Sequence, residues 1–314
     1  MKVLYAAPEK AWGGFLRLIK AELPEFQFDA TGRFGIDTLQ GYDVLIPTMC
    51  PVTESVLASA DRLRLIQQCG SGLEGVDHDA ARQRNIWVAN VPTEASGNAD
   101  SVAELGIFMM VGLARNLRGM AKSLANRKMG EPRGMALSGR TVGLIGLGGI
   151  GRALIRRLRT FDVRIIGLKQ HAPEKAREAL NLEWVGGPSE IKVLLQRSDF
   201  VILCVPVTPA TGDMINEATL AAMQPSAFLI NLSRGGLVNR EALASALANG
   251  TIAGAGLDVF WEEPPDPEDP IFKYNVIATP HIAGSTDVSM RGIVQGVAEN
   301  LRRVDQNLEP LNHL

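Results

Sequence analysis

The stretch TVGLIGLGGIGRALIRRLRTFDVRIIGLKQ, residues 141–170, constrains the fold more than any other part of the chain. A short apolar run over 142–145 reads as a strand buried on both faces. Gly146, Gly148 and Gly151 follow in the spacing G-x-G-x-x-G, directly ahead of a helical pattern. In a dinucleotide site Gly146 permits the tight strand-to-helix turn, Gly148 lets backbone approach a pyrophosphate, and Gly151 lets helix pack closely on strand. The helix N-terminus, with Gly149 and Ile150, then offers N–H groups to phosphate. Ile150, Ala153, Leu154 and Leu158 share one helical face, whereas Arg152, Arg156 and Arg159 fall on another. A second strand over 163–168 completes a β-α-β unit, and this context turns a weak motif into a specific one.

The residue after that second strand bears on which dinucleotide fits. An Asp or Glu there accepts hydrogen bonds from the adenosine ribose in NAD sites, but this chain has Lys169, then Gln170 and His171. A carboxylate would repel a 2′-phosphate and a lysine attracts it, so the expectation leans to NADP, with NAD as the other possibility.

At 314 residues the chain exceeds the usual single domain, and two domains are expected. A formal net charge of −2 without long blocks of one sign argues against nucleic acid or anionic membrane as partners. The N-terminus moves straight into a strand pattern without a signal peptide, and the most apolar helical segment, 105–114, is too short to span a bilayer. Cys50, Cys69 and Cys204 stand singly in apolar runs, as reduced core thiols do rather than disulfide or metal partners. A cytoplasmic protein is expected.

The first part of the chain alternates strand patterns (2–6, 43–46, 63–69, 86–89) with a helix near 15–22, which implies a parallel sheet with covering helices. Gly70 to Gly75, GSGLEG, follows a strand and can expose N–H groups to a carboxylate or form a plain turn. Ser101 and Glu104 match the capping box S-x-x-E and predict a helix from Ser101 to about Asn116, apolar enough to be buried in a core or against a second subunit. Further strands are read over 200–205, 227–232, 255–260 and 276–278, with a helix over 239–249 stopped by Gly250. The stretch WEEPPDPEDP is too proline-rich for regular structure. A last helix places Met290, Val294, Val297, Leu301 and Val304 on one stripe.

Arg234, Glu263 and His281 each follow one of these strands, where an open parallel sheet gathers its ligand-facing groups. Singly each has a structural explanation: a surface charge, a solvated acidic loop, a satisfied histidine. Together, NLSRGG (231–236), GLDVFWEEP (256–264) and TPHIAGST (279–286), with GLGGIG and SVAE upstream, resemble the D-isomer-specific 2-hydroxyacid dehydrogenase family, with similarity to glyoxylate/hydroxypyruvate reductases, over about 70–286. The resemblance implies Arg234 as anchor of the substrate carboxylate and carbonyl, His281 as acid/base and Glu263 as its partner. It also implies that Asp258 contacts the nicotinamide carboxamide, that Val205, Pro206 and His281 join the cofactor site, and that backbone at Ser71 and Gly72 holds the substrate carboxylate.

The implied fold is α/β, with two doubly wound parallel-sheet domains. A Rossmann nucleotide-binding domain covers 94–284, and a smaller, flavodoxin-like and discontinuous substrate domain covers 1–93 with 285–314, a cleft lying between them. The resemblance further implies hydride transfer between NAD(P)H and a small 2-oxo acid, and a homodimer formed through the helix at Ser101. The chemistry suits those residue types. Imidazole delivers protons near neutral pH, a neighbouring carboxylate favours its charged form, and a fork-shaped guanidinium orients a carboxylate.

A corepressor-like NAD(P)-binding role is the alternative, since such proteins keep the same triad. Phosphite dehydrogenases use a lysine that would align near Ser71, and formate dehydrogenases have glutamine where this chain has Glu263. With the sequence ending at residue 314, the longer phosphoglycerate dehydrogenases are not expected, while short ones stay open. Trp12, Met49 and Trp261 are the candidates for contact with the substrate side chain.

Overall fold

The computed structural model describes residues Met1–Leu314, which divide into two compact units, Met1–Asn98 with Gly284–Leu314, and Ala99–Ala283. In chain order the first unit contributes β1 (Lys2–Tyr5), α1 (Ala11–Glu22), β2 (Gln27–Ala30), β3 (Val44–Ile46), α2 (Glu54–Leu57), β4 (Leu65–Gln67), α3 (His78–Gln83) and β5 (Trp87–Ala89). Then come α4 (Asn98–Ala114), α5 (Leu117–Ala125), β6 (Thr141–Ile145), α6 (Gly149–Leu158), β7 (Arg164–Leu168), α7 (Pro173–Ala179) and β8 (Trp184–Gly186). The second unit continues with α8 (Ile191–Arg197), β9 (Phe200–Leu203), α9 (Glu217–Leu220), β10 (Phe228–Asn231), α10 (Arg240–Ala248), β11 (Gly254–Leu257) and β12 (Val276–Ala278). The chain returns to the first unit with α11 (Asp287–Asp305).

Both sheets are parallel throughout, in the orders β2-β1-β3-β4-β5 and β12-β11-β10-β9-β6-β7-β8. These are the flavodoxin-like and Rossmann orders of doubly wound folds that the family resemblance implies, and the parallel pairing is what the alternating patterns predict. Parallel strands need both faces covered, and the apolar residues sort accordingly. In the first unit Val3, Tyr5, Val44 and Ile46 pack with α1 and α11, whereas Leu4, Leu45, Ile66 and Val88 pack with α2 and α3. In the second, Leu144, Phe200 and Ile202 meet α4 and α6, and Val201, Leu203 and Leu229 meet α8 and α10.

Several boundaries differ from the sequence reading. The helix expected at Ser101 begins at Asn98, after Gly97 with φ 73°; Ser101 is buried inside it, and Glu104 pairs with Arg157 at 3.1 Å rather than reaching back to a cap. That helix stops at Ala114, because left-handed Asn116 caps α5 by accepting from Gly119 N–H. The strand expected over 255–260 ends at Leu257, since its neighbours leave the sheet at the same level, at Asn231 and Ala278. β2, β8 and α5 carry no pattern strong enough to be read: the strands have four and three residues, and α5 buries no side chain. Helix α1 includes three left-handed residues, Trp12, Gly13 and Gly14, so its regular part starts at Phe15, near the predicted start. Asn239 caps α10 and Gly250, at φ 67°, ends it as predicted.

The stripe on α11 is the lid of the first unit's core, with Val294, Val297, Leu301 and Val304 buried and Met290 partly so. Leu301 is 0% exposed, so Leu301→Ala leaves a cavity and is expected to destabilise by about 2–5 kcal/mol, read as a lower urea midpoint.

Candidate active site

Three adjacent parallel strands, β10, β11 and β12, stop in register at Asn231, Leu257 and Ala278. Backbone hydrogen bonds continue the ladder into the loops beyond: Asp258 N–H to Asn231 O (3.1 Å), Thr279 N–H to Leu257 O (2.9 Å) and His281 N–H to Asp258 O (2.8 Å). The loops that carry Arg234, Glu263 and His281 therefore start from one rigid edge.

Each loop has its own clamp. The buried Asn231 side chain accepts from Ser233 N–H (3.1 Å) and donates to Arg234 O (2.8 Å), fixing the turn that carries the half-buried Arg234, whose Nη1 donates to Ser233 O (2.8 Å). Gly235 lies so close to Phe260 O and Trp261 N that a Cβ there would collide with backbone, so only glycine lets the Arg234 loop abut the loop bearing Glu263. Glu263 is gripped at both oxygens, Oε1 by Phe260 N–H (3.0 Å) and Oε2 by His281 Nδ1 (2.7 Å). His281 itself is a non-glycine residue in the left-handed region, at φ 53°, a conformation that surrounding structure must impose.

The electrostatics follow from these contacts. Burial alone would raise the Glu263 carboxyl, but the hydrogen bond and charge of His281, the Phe260 N–H and the charge of Arg234 outweigh it and hold the group below the usual carboxylate range. Glu263 thus stays anionic across the neutral range. Asp258 is balanced the other way: burial raises its carboxyl, opposed by hydrogen bonds from Thr279, Ile282 and Ala283 and by the charge of His281. Cys69 and Cys204 remain thiols, pushed up to about 12 by burial.

At the nucleotide end, α6 starts at Gly149 with no side chain capping its first turn, and nothing lies within 4 Å of where a Cβ on Gly148 would be. That open cradle of backbone N–H groups fits a pyrophosphate. Gly146, at φ 103°, lies so near the next strand that a Cβ would come within 2.6 Å of Cys204 O, and a Cβ on Gly151 would meet Gly146 O. Both glycines hold the turn tight as the fingerprint requires. Val205 is half-buried and Pro206 exposed just beyond β9, the strand beside β6 at the reversal of strand order. Lys169 follows β7, half-buried, its N–H held by Gly186 O (3.0 Å), while Gln170 and His171 are exposed.

Ser71 and Gly72 belong to the first unit, where Asn90 Nδ2 donates to Ser71 O (2.7 Å) and shapes the turn. Of the specificity candidates, Trp261 is a packing residue: its Nε1 donates to Val238 O (2.5 Å) and its ring lies under Arg240. Met49 is exposed, and Trp12 is held left-handed. The sequence reading missed Asn231 and Gly235 as organisers of the site, although both lie in the quoted motif NLSRGG.

The second unit is a Rossmann-type sheet whose carboxyl edge carries a histidine–glutamate contact and an arginine on neighbouring loops. The model of the D-isomer specific 2-hydroxyacid dehydrogenase NAD binding domain matches residues 107–283, and the chain belongs to that family. It is 36% identical over 272 residues to the D-3-phosphoglycerate dehydrogenase of Methanocaldococcus jannaschii, a match covering 86% of this chain and 51% of that protein. It is also 36% identical over 262 residues to the glyoxylate reductase of Thermococcus litoralis, covering 80% and 76% of the two chains. The NADPH-dependent glyoxylate/hydroxypyruvate reductase of Sinorhizobium meliloti, solved with NADP and malonate, superimposes with a TM-score of 0.86 at 29% identity, covering 100% of this chain and 96% of that one. The chain thus spans about half the length of the phosphoglycerate dehydrogenase it matches. No helix is long and apolar enough to cross a membrane.

The contact between Glu263 and His281 yields a pH test. The hydrogen bond and charge of His281 hold the Glu263 carboxyl below its ordinary range, so its ionised form is stabilised in the folded protein. Glu263→Gln removes that ionised partner, so the stability difference between parent and variant, read as urea midpoints, is expected to be largest at neutral pH and to shrink as pH falls through the lowered carboxyl range; a difference independent of pH would show the pair uncoupled.

Proposed function

We propose that this protein reduces a small 2-oxo acid of the glyoxylate or hydroxypyruvate type to the D-2-hydroxy acid, using NADPH in preference to NADH. The observation that carries this reading is the 2.7 Å contact of His281 Nδ1 with Glu263 on loops that leave adjacent strands beside the Arg234 loop. The relatives named as glyoxylate reductases support the substrate class.

Gly146, Gly148, Gly149, Ile150 and Gly151 hold the dinucleotide phosphates, with Val205, Pro206 and Asp258 lining the rest of its site. The reduced nicotinamide, when bound, supplies the hydride to the carbonyl carbon. Arg234 binds the substrate carboxylate and steadies charge developing on the carbonyl oxygen. With Nδ1 bonded to Glu263, His281 carries the transferable proton on Nε2 and gives it to the carbonyl oxygen, becoming neutral as the alcohol forms. The reverse reaction runs with His281 as base. The outward residues of α4, Phe108 (48% exposed) and Val111 (37%), support a homodimer built on that helix.

His281→Ala is expected to lower turnover by about 10² to 10⁴ while cofactor affinity stays near that of the parent enzyme, measured by steady-state kinetics and fluorescence titration. Arg234→Lys keeps the charge but loses the fork, so both kcat and KM should worsen. Retained turnover in either variant would remove that residue from the mechanism.

Lys169 stands where the adenosine ribose is read, and a lysine–phosphate contact there contributes about 1 kcal/mol, under a tenfold preference for NADPH. Lys169→Asp replaces attraction with repulsion and should weaken NADPH far more than NADH. Equal effects on the two specificity constants would show that Lys169 does not read the phosphate.

A further inference from the structure

Asp258 is 1% exposed, and its carboxylate accepts three hydrogen bonds from the segment around His281: Thr279 Oγ1–H (2.6 Å) and Ile282 N–H (2.9 Å) on Oδ1, and Ala283 N–H (3.0 Å) on Oδ2. Its carbonyl accepts a fourth, from His281 N–H (2.8 Å). A carboxylate has about four lone-pair sites, so one remains for any other partner. The left-handed His281 turns the next two N–H groups inward together, making a concave anion site of the chain's own backbone, and Asp258 fills it. Neither a neutral side chain nor a longer one replaces this. Asparagine would set an NH2 against an N–H, and glutamate would have to fit an additional methylene into a buried space.

We propose that Asp258 is a positioning residue for His281: its carboxylate, working with the Thr279 hydroxyl, holds the 279–283 turn in the left-handed conformation that sets the imidazole against Glu263. The proposal rests on the reading of His281 as the proton donor, and goes beyond it by placing the origin of the ring's orientation at the residue that follows β11 rather than in the 279–283 turn itself. β11 is a central contributor here because the same stretch, running on to Glu263, supplies both the clamp on the backbone of His281 and the partner of its ring. The stretch beyond one strand end thus fixes the histidine at two points, its backbone N–H and its ring.

The decisive variant is Thr279→Val, which keeps volume and removes only the hydroxyl, against Thr279→Ser, which keeps it. At saturating substrate and cofactor, Thr279→Val is expected to lower kcat by about tenfold, the effect of one buried charge-assisted hydrogen bond, with cofactor Kd changed less than about twofold and Thr279→Ser close to the parent. A second readout needs no turnover. The Nδ1–H···Glu263 hydrogen bond should give a downfield proton resonance, assigned by its absence in His281→Ala, which weakens or shifts in Thr279→Val and is restored in Thr279→Ser. Asp258→Asn should show the same changes more strongly. Parent-like kcat and resonance in Thr279→Val would overturn the proposal, as would an Asp258→Asn defect confined to cofactor affinity. If Asp258→Asn does not fold, the Thr279 pair decides. If His281→Ala keeps turnover, the proton-donor reading fails, and the resonance in the Thr279 variants still tests the positioning role.

Discussion

The structure of the site depends on three parallel strands ending at one level. Because β10, β11 and β12 pair through Asn231, Leu257 and Ala278, the loops that follow start from fixed points about one interstrand spacing apart, on the order of 5 Å. Each loop then needs only a short clamp to aim one side chain. Asn231 supplies the clamp for Arg234, the Phe260 N–H for Glu263, and Asp258 for His281. The rigid part is backbone hydrogen bonding in a buried sheet, and the chemistry sits on the loops it supports.

Charge is handled within the same frame. Burying a carboxylate costs free energy unless its oxygens are satisfied, and both acids here are satisfied in different ways. Glu263 has a cationic partner and stays ionised below the usual range, whereas Asp258 spends its acceptors on backbone and hydroxyl donors. One acid bonds the ring and the other bonds the turn that carries it. Strain at His281, a residue outside its ordinary backbone region, is confined to the place where the reaction reading needs a fixed imidazole.

Glycine does comparable work by absence. Gly146 and Gly151 close the glycine-rich turn because no Cβ fits there, Gly148 leaves space open, and Gly235 lets the loops bearing Arg234 and Glu263 touch. The first three were legible from their spacing before a helix. Gly235 was not, because its contact at Phe260 is 25 residues away in the chain, and nothing in the motif NLSRGG says which backbone comes near.

The sequence by itself determined the class of fold, the position of the nucleotide turn, and the three strand ends that bring Arg234, Glu263 and His281 to one edge. Those features are local, written in apolar runs, glycine spacing and the residues that follow each run. It also placed the apolar stripe of α11 and the stop at Gly250. It misplaced the start of α4, where an S-x-x-E pattern lies inside the helix rather than at its cap, and it missed β2, β8 and α5, whose short or solvated patterns carry little signal. Tertiary structure alone decided that Trp261 packs against Val238, that Glu263 meets Nδ1 of the histidine, and that Asp258 is enclosed by Thr279, Ile282 and Ala283. Hydrogen bonds of that kind join residues about twenty positions apart, and their partners are chosen by which strands end side by side, a property of the folded sheet that no local pattern encodes.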